Sequence, residues 1–320
     1  MTLAIETIDL THRYNKKLVA LDQLNLRVEQ GCIYGFIGPN GAGKTTTLRI
    51  LAGLLSPTKG EVRLLGEQLT TRAAQRLVGY MPDFFGVYDD LRVWEYLDFF
   101  ARCYGLRGAR LRQVVDELLD LVDLAGKRDA FVQTLSRGMQ QRLCLAHALV
   151  HNPPVLLLDE PASGLDPRAR VELRELLRTL RDMGKTIMLS SHILSELAEV
   201  CDAIGIIDHG RMIISGPLAE VQQQLAASAR ARLRIARERD VVLALALLQR
   251  HPLVSAASAA AADPRALIID FSEALNEEQC AAILAELVNA GVAVSEFSAR
   301  SENLEELFLR LTANTGQANG

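Results

Sequence analysis

The sequence predicts an α/β protein in two parts: a mostly parallel sheet with helices on its faces, then a smaller α/β unit. Three observations carry this expectation. An apolar run, Cys32 to Ile37, leads through a glycine-rich turn into a helical pattern. A second apolar run, Val155 to Leu158, is followed by strand–helix alternation, the order that builds parallel sheets covered by helices. Past about residue 231 the apolar pattern restarts without any of the earlier motifs, and 320 residues are enough for two domains.

Each element has its own signal. In residues 5 to 35, Leu24, Leu26 and Val28 alternate with Asn25, Arg27 and Glu29, the period of a half-buried strand. After the glycine turn, Leu48, Leu51, Leu54 and Leu55 recur at helical spacing until Ser56, Pro57 and Gly60 break the pattern. From about Leu91 to Val150 the chain reads as a helical insert, divided near Arg107-Gly108 and Gly126. Asp166-Pro167 starts the helix after the second apolar run, Thr186 to Leu189 forms the next strand, and a hairpin turns at Asp208 to Gly210. Residues 232 to 312 read as strand, helix, strand, strand, helix, strand, helix, with Ala266 to Phe271 and Gly291 to Phe297 the clearest strands. That order suggests a ferredoxin-like unit.

Composition bounds the function. With 49% hydrophobic and 23% charged residues and a net charge of -4, the chain is an ordinary globular protein without the basic surplus that nucleic-acid binding uses. No run reaches the roughly 18 to 20 apolar residues of a bilayer-spanning helix, and the N-terminus lacks the pattern of a signal peptide, so a cytoplasmic protein is expected. Cys32, Cys103, Cys144, Cys201 and Cys280 fit neither a disulfide framework nor a zinc site and are expected as reduced core residues.

Three motifs carry chemistry. Gly38-Pro39-Asn40-Gly41-Ala42-Gly43-Lys44-Thr45 satisfies G-x-x-x-x-G-K-[ST] between a strand and a helix, the setting of a phosphate-binding P-loop. Its glycines let backbone N–H groups turn toward phosphate oxygens at the positive end of the helix. Lys44 would contact the outer phosphates, Thr45 would ligate Mg²⁺, and Thr46 can reach an inner phosphate. Val155 to Leu158 ends in Asp159-Glu160, which puts two carboxylates where a sheet edge binds ligands; Asp159 suits Mg²⁺ and Glu160 suits an attacking water. Shortly before them stands Leu135-Ser136-Arg137-Gly138-Met139-Gln140-Gln141-Arg142, in which Ser136 can cap the helix that follows.

This third motif resembles the signature of ABC ATPases, with Arg137 for a Gly and Met139 for the Gln of Leu-Ser-Gly-Gly-Gln. The resemblance covers residues 1 to about 220 and implies a P-loop NTPase fold: a RecA-like parallel sheet core, an antiparallel β subdomain and a helical insert at about 86–150. A linker is expected at 221–231, the small ferredoxin-like α/β domain at 232–312 and a disordered tail at 313–320. It further implies that ATP and Mg²⁺ are bound and that two subunits, as a homodimer or a heterodimer with a related ATPase, sandwich two ATPs head to tail. In that arrangement Ser136, Arg137, Gly138 and Met139 would meet the opposite subunit's ATP. Tyr14 matches the residue that stacks on adenine, Ser163-Gly164-Leu165-Asp166 matches the D-loop, and His192 in Ser190-Ser191-His192 matches the switch histidine. Asp83, in Gly79-Tyr80-Met81-Pro82-Asp83, stands where most members have a Gln, and it could still ligate Mg²⁺.

A membrane permease on another polypeptide is implied as partner, docking near Asp83 to Leu91, with this chain at the cytoplasmic face of the membrane as a peripheral subunit. The Ser-Arg-Gly-Met-Gln variant, Leu189 to Glu196 and Leu304 to Leu309 resemble exporter ATPases for drugs, antibiotics or polysaccharides. An importer ATPase with a regulatory C-terminal domain, or an ABC ATPase acting on soluble partners, remain the alternatives.

Overall fold

A computed structural model describes residues 2–15, 18–83, 86, 90–226, 230–260, 263–272, 275 and 277–300. The chain divides into two compact units, Met1–Leu218 and Ala219–Gly320.

In the first unit, strands β1 (Leu3–Arg13) and β2 (Val19–Glu29) pair antiparallel, and the short buried strand β3 (Ile33–Ile37) runs into helix α1 (Lys44–Leu51). Strands β4 (Lys59–Leu64) and β5 (Glu67–Gln68) complete a four-stranded sheet in the order β2-β1-β4-β5. Helix α2 (Thr71–Leu77), capped by the Thr70 hydroxyl, leads into β6 (Val78–Met81). The insert then supplies α3 (Val93–Cys103), α4 (Gly108–Leu121) and α5 (Arg137–Leu149). Strand β7 (Val155–Leu158), helix α6 (Pro167–Asp182), β8 (Thr186–Ser191), the short α7 (Leu194–Ala198), and the hairpin β9 (Ala203–Asp208) and β10 (Arg211–Pro217) close the unit.

The second sheet has the order β10-β9-β3-β8-β7-β6, with β9, β3, β8, β7 and β6 all parallel and β10 antiparallel at one edge. Strands β3, β7 and β8 are buried along their whole length, which is why they read as continuous apolar runs rather than alternations. Leu24, Leu26, Phe36, Leu48, Leu64, Leu157 and Met188 meet in one core between the two sheets and α1. Tyr34 lies within it, only 1% exposed, with its hydroxyl 2.6 Å from Ser215 Oγ. Room for that ring comes from Gly205, where a Cβ would stand 2.0 Å from the Tyr34 oxygen.

Aromatic and imidazole rings tie the insert to the core. His147 on α5 stacks on Phe100 of α3 with centroids 3.7 Å apart, and Tyr96 Oη lies 3.3 Å from His147 Nδ1. One turn on, His151 stacks on Tyr104 and its Nε2 lies 3.0 Å from the Val78 carbonyl oxygen at the start of β6. Burial, reinforced by the neighbouring His151, pushes the His147 imidazole down to about 4.

The second unit contains α8 (Leu218–Ala226), β11 (Arg230–Ile235), α9 (Val241–Leu248), β12 (Val254–Ala260), β13 (Asp263–Phe271), α10 (Glu277–Asn289) and β14 (Val294–Arg300). Its sheet runs β12-β13-β11-β14, antiparallel throughout, the arrangement of a ferredoxin-like fold. Leu233, Ile235, Leu248, Leu267, Ile269, Ile283 and Leu287 form its own core. The final helix expected within 232–312, and the tail 313–320, lie outside the described residues.

Two expectations are corrected. Most of the stretch 221–231 is not a linker: α8 occupies it to Ala226 and β11 begins at Arg230, because Leu218, Val221 and Leu225 supply a helical apolar stripe within an Ala-rich sequence. Only Cys144 and Cys201 are core cysteines; Cys32 and Cys280 are half-buried and Cys103 is exposed. Among the described residues no helix is long and apolar enough to cross a membrane.

Candidate functional site

The site begins at the turn between β3 and α1. Gly41 and Gly43 adopt φ of 85° and 112°, a region that side chains disfavour. A Cβ at Gly43 would stand 2.7 Å from the Ala20 carbonyl oxygen, and one at Gly38 2.4 Å from that of Ile207. Glycine is therefore required at 43 by packing and torsion together, at 38 by packing and at 41 by torsion. A helix leaves its first N–H groups without intrahelical partners, and α1 starts at this loop with Lys44, Thr45 and Thr46. The arrangement suits a phosphate chain.

Lys44 is only 6% exposed. Its Nζ donates to the Gly38 carbonyl at 2.7 Å and approaches Glu160 Oε1 at 3.6 Å. Burial lowers its pKa, while Glu160 and then Asp159 act to raise it, so the two carboxylates offset the cost of keeping an ammonium there. Tyr14 stands over the first turn of α1, with Oη 3.2 Å from Thr46 Oγ1, and leaves about half of its surface exposed.

Asp159 and Glu160 follow β7 directly. Asp159 is 1% exposed, and its backbone N–H donates to the Met81 carbonyl at 2.8 Å. Glu160 has φ 49°, a left-handed conformation that costs a residue with a side chain about 1–3 kcal/mol. The turn directs its carboxylate toward Lys44 and toward His192, whose Nδ1 is 3.0 Å from Glu160 Oε2. An ionised carboxylate only accepts, so the proton in that bond sits on the imidazole.

Ser190, which motif reading left without a role, joins the two acids. Its Oγ donates to Asp159 Oδ1 at 2.7 Å and accepts from the Glu160 N–H at 2.9 Å. It is one of three buried hydroxyls on strand β8, with Thr186 and Ser191. Oxygen donors, the Thr45 hydroxyl and the Asp159 carboxylate, fit a hard cation such as Mg²⁺. Among the described residues no group of three His, Cys, Asp or Glu could hold a metal alone.

The remaining expected residues lie apart from this cluster. Ser136 caps α5 by accepting from the Met139 N–H at 3.4 Å. Helix α5 packs on β6, an edge strand three spacings from β3, or about 14 Å across the sheet. The Arg137 guanidinium lies on Gly164, where a Cβ would come within 2.4 Å of Arg137 Cζ, and Gly138 faces Ala169. Asp166 caps α6 by accepting from the Ala169 N–H at 2.8 Å. Asp83 is exposed just past the end of β6, and no hydrogen bond or ion pair links it to the cluster among the described residues. Of the expected docking segment, residues 84, 85 and 87–89 lie outside the described residues.

Comparison with known proteins gives a consistent picture. The ABC transporter family profile matches residues 21–163. The Nod factor export ATP-binding protein I of Paraburkholderia xenovorans is 38% identical, with 98% of each chain aligned. The daunorubicin/doxorubicin resistance ATP-binding protein DrrA of Streptomyces peucetius is 37% identical, with 98% of this chain and 93% of that protein aligned. An uncharacterized ABC transporter ATP-binding protein of Synechocystis is 41% identical over 65% of this chain, and the alignment spans only 59% of that relative's length. Among solved structures, cbiO1 of Clostridium perfringens, part of the transporter complex cbiONQ, superposes with a TM-score of 0.64 at 25% identity, covering 69% of this chain and 91% of its own.

Proposed function

The chain belongs to the ABC transporter family of ATP-binding subunits, and from that premise we propose that it hydrolyses ATP to power a separate membrane permease, in the direction of export. The observation that carries the reading is the meeting of Lys44, Glu160 and His192 beside the glycine loop, with Asp159 buried next to them. Export is supported by the nearly full-length similarity to a Nod factor export subunit and a drug-resistance subunit.

In this reading the N–H groups of Gly41 to Thr46 and the Lys44 ammonium bind the phosphates, and Tyr14 stacks on the base. Thr45, Asp159 and Asp83 would hold Mg²⁺, which would offset phosphate charge and orient the terminal group. Glu160 takes a proton from a water as the water oxygen bonds to the γ-phosphorus. The bond from that phosphorus to the β,γ-bridging oxygen breaks in line, and ADP leaves with the electron pair. His192 keeps the Glu160 carboxylate turned toward the reacting end.

Ser136, Arg137, Gly138 and Met139 complete the site of a second subunit, homologous or identical, in a head-to-tail pair that also involves the D-loop at Asp166. The separation of α5 from the phosphate loop within one chain favours this split arrangement. The nucleotide-binding domain ends near residue 220, and the ferredoxin-like unit beyond it serves dimer contacts or regulation. A permease docks near Asp83 to Leu91, which holds the subunit at the cytoplasmic face of the membrane.

The test is Glu160→Gln. The hydrolysis rate falls by about 10²–10⁴ while ATP binding persists. A tagged Glu160→Gln chain recovered from solubilised membranes with ATP and Mg²⁺ brings one polytopic protein with it. An undiminished rate refutes the role of Glu160, and recovery of soluble partners only refutes the transport role.

A further inference from the structure

We infer that Ser190 is a positioning residue for the proposed hydrolysis, acting through both acids: one hydroxyl orients the Asp159 carboxylate and latches the left-handed backbone of Glu160. The inference rests on the reading of Asp159 as the Mg²⁺ residue and Glu160 as the base, and it adds a residue to which the motifs give no part.

The geometry requires a group that donates and accepts at one point. Strands β7 and β8 are parallel, with Leu158 level with Leu189, so Ser190 lies level with Asp159 one residue further along. From there its Oγ spends its single proton on Asp159 Oδ1 at 2.7 Å and offers a lone pair to the Glu160 N–H at 2.9 Å. Alanine, valine or a carboxylate cannot do both. Both acceptor and donor are buried, Ser190 0% exposed and Asp159 1%. Ser190→Ala removes the hydroxyl from this point. Asp159 then loses the donor that fixes the rotation of its carboxylate, and the strained turn at Glu160 loses a bond that holds it against relaxation toward ordinary torsions. A relaxed turn moves the Glu160 carboxylate from its place 3.6 Å from Lys44 Nζ and 3.0 Å from His192 Nδ1.

The experiment compares the full-length chain with Ser190→Ala, Asp159→Asn and the double variant, measuring ATP affinity with and without Mg²⁺ by calorimetry and hydrolysis in parallel. Removal of a residue that orients a metal-holding group costs about 10- to 100-fold in affinity or activity. Ser190→Ala therefore keeps the Mg²⁺-free ATP affinity, loses about tenfold of the gain in affinity that Mg²⁺ brings, and lowers kcat by about 10- to 100-fold. In the Asp159→Asn background the same substitution costs little further Mg²⁺-dependent affinity, because the path through Asp159 is already gone. A Ser190→Ala chain with wild-type Mg²⁺ gain and kcat overturns the inference, as does full additivity with Asp159→Asn. If instead wild type gains no affinity from Mg²⁺ and Glu160→Gln hydrolyses normally, the underlying assignment of the site fails and the inference fails with it.

Discussion

Acid should loosen the helical insert before it affects the rest of the larger unit, and His147 sets the size of the effect. Its imidazole sits between Tyr96 and Phe100, with a pKa pushed from 6.5 to about 4 chiefly by burial and secondarily by His151. The unfolded chain therefore binds more protons than the folded one between these values. Stability is full above pH 6.5 and is lost as pH falls toward 4. At 1.36 kcal/mol per unit, the two pKa values give a loss of about 2 kcal/mol between pH 7.5 and pH 5, and about 3 kcal/mol below pH 4. The assay is urea unfolding at pH 7.5 and pH 5, followed by fluorescence of Trp94, the single tryptophan, which lies on α3. In His147→Phe a ring still stacks on Phe100 but nothing titrates there, so its stability should fall by about 2 kcal/mol less over the same interval. Equal losses in wild type and variant would refute the assignment.

Three further outcomes follow from the geometry. Gly43→Ala puts a Cβ 2.7 Å from the Ala20 carbonyl oxygen at φ 112°, so ATP affinity measured by calorimetry should fall below detection while far-UV circular dichroism stays native. Tyr14→Phe removes the 3.2 Å contact with Thr46 but keeps the ring, whereas Tyr14→Ala removes both; a nucleotide titration should show a near-normal Kd for the first and a Kd raised about tenfold, or more than 1 kcal/mol, for the second. Tyr34→Phe loses the bond from a buried ring to Ser215, and thermal unfolding should report a loss of about 1 kcal/mol.

What the sequence discloses follows from how local each signal is. The stretch from Gly38 to Thr45 is legible because the turn, the exposed N–H groups and Lys44 all belong to eight consecutive residues. Asp159 and Glu160 are legible for the same reason, as acids at the end of an apolar strand. Ser190 is not, because its function depends on the register of β8 against β7, which no local pattern encodes. The ring contacts of Tyr96, Phe100, His147 and His151 join helices far apart in the chain, and only the packing of α3 on α5 brings them together. Strands β4 and β5 escape notice because they are short and mostly exposed, with only Val62 and Leu64 alternating inward. In α8, Ala and Ser content suggested a linker, while the spacing of Leu218, Val221 and Leu225 shows the periodicity that prevailed.

The seat of Arg137 on Gly164 constrains how these two positions can change over generations. A Cβ at 164 would displace the guanidinium, the movable end of a flexible side chain, whereas the φ of 68° there disfavours any side chain in its own right. Torsion therefore holds glycine at 164 whatever residue stands at 137, while the arginine can swing aside or shorten without a change at 164. Position 137 is the freer of the two, and replacements there should be tolerated more readily than replacements at 164.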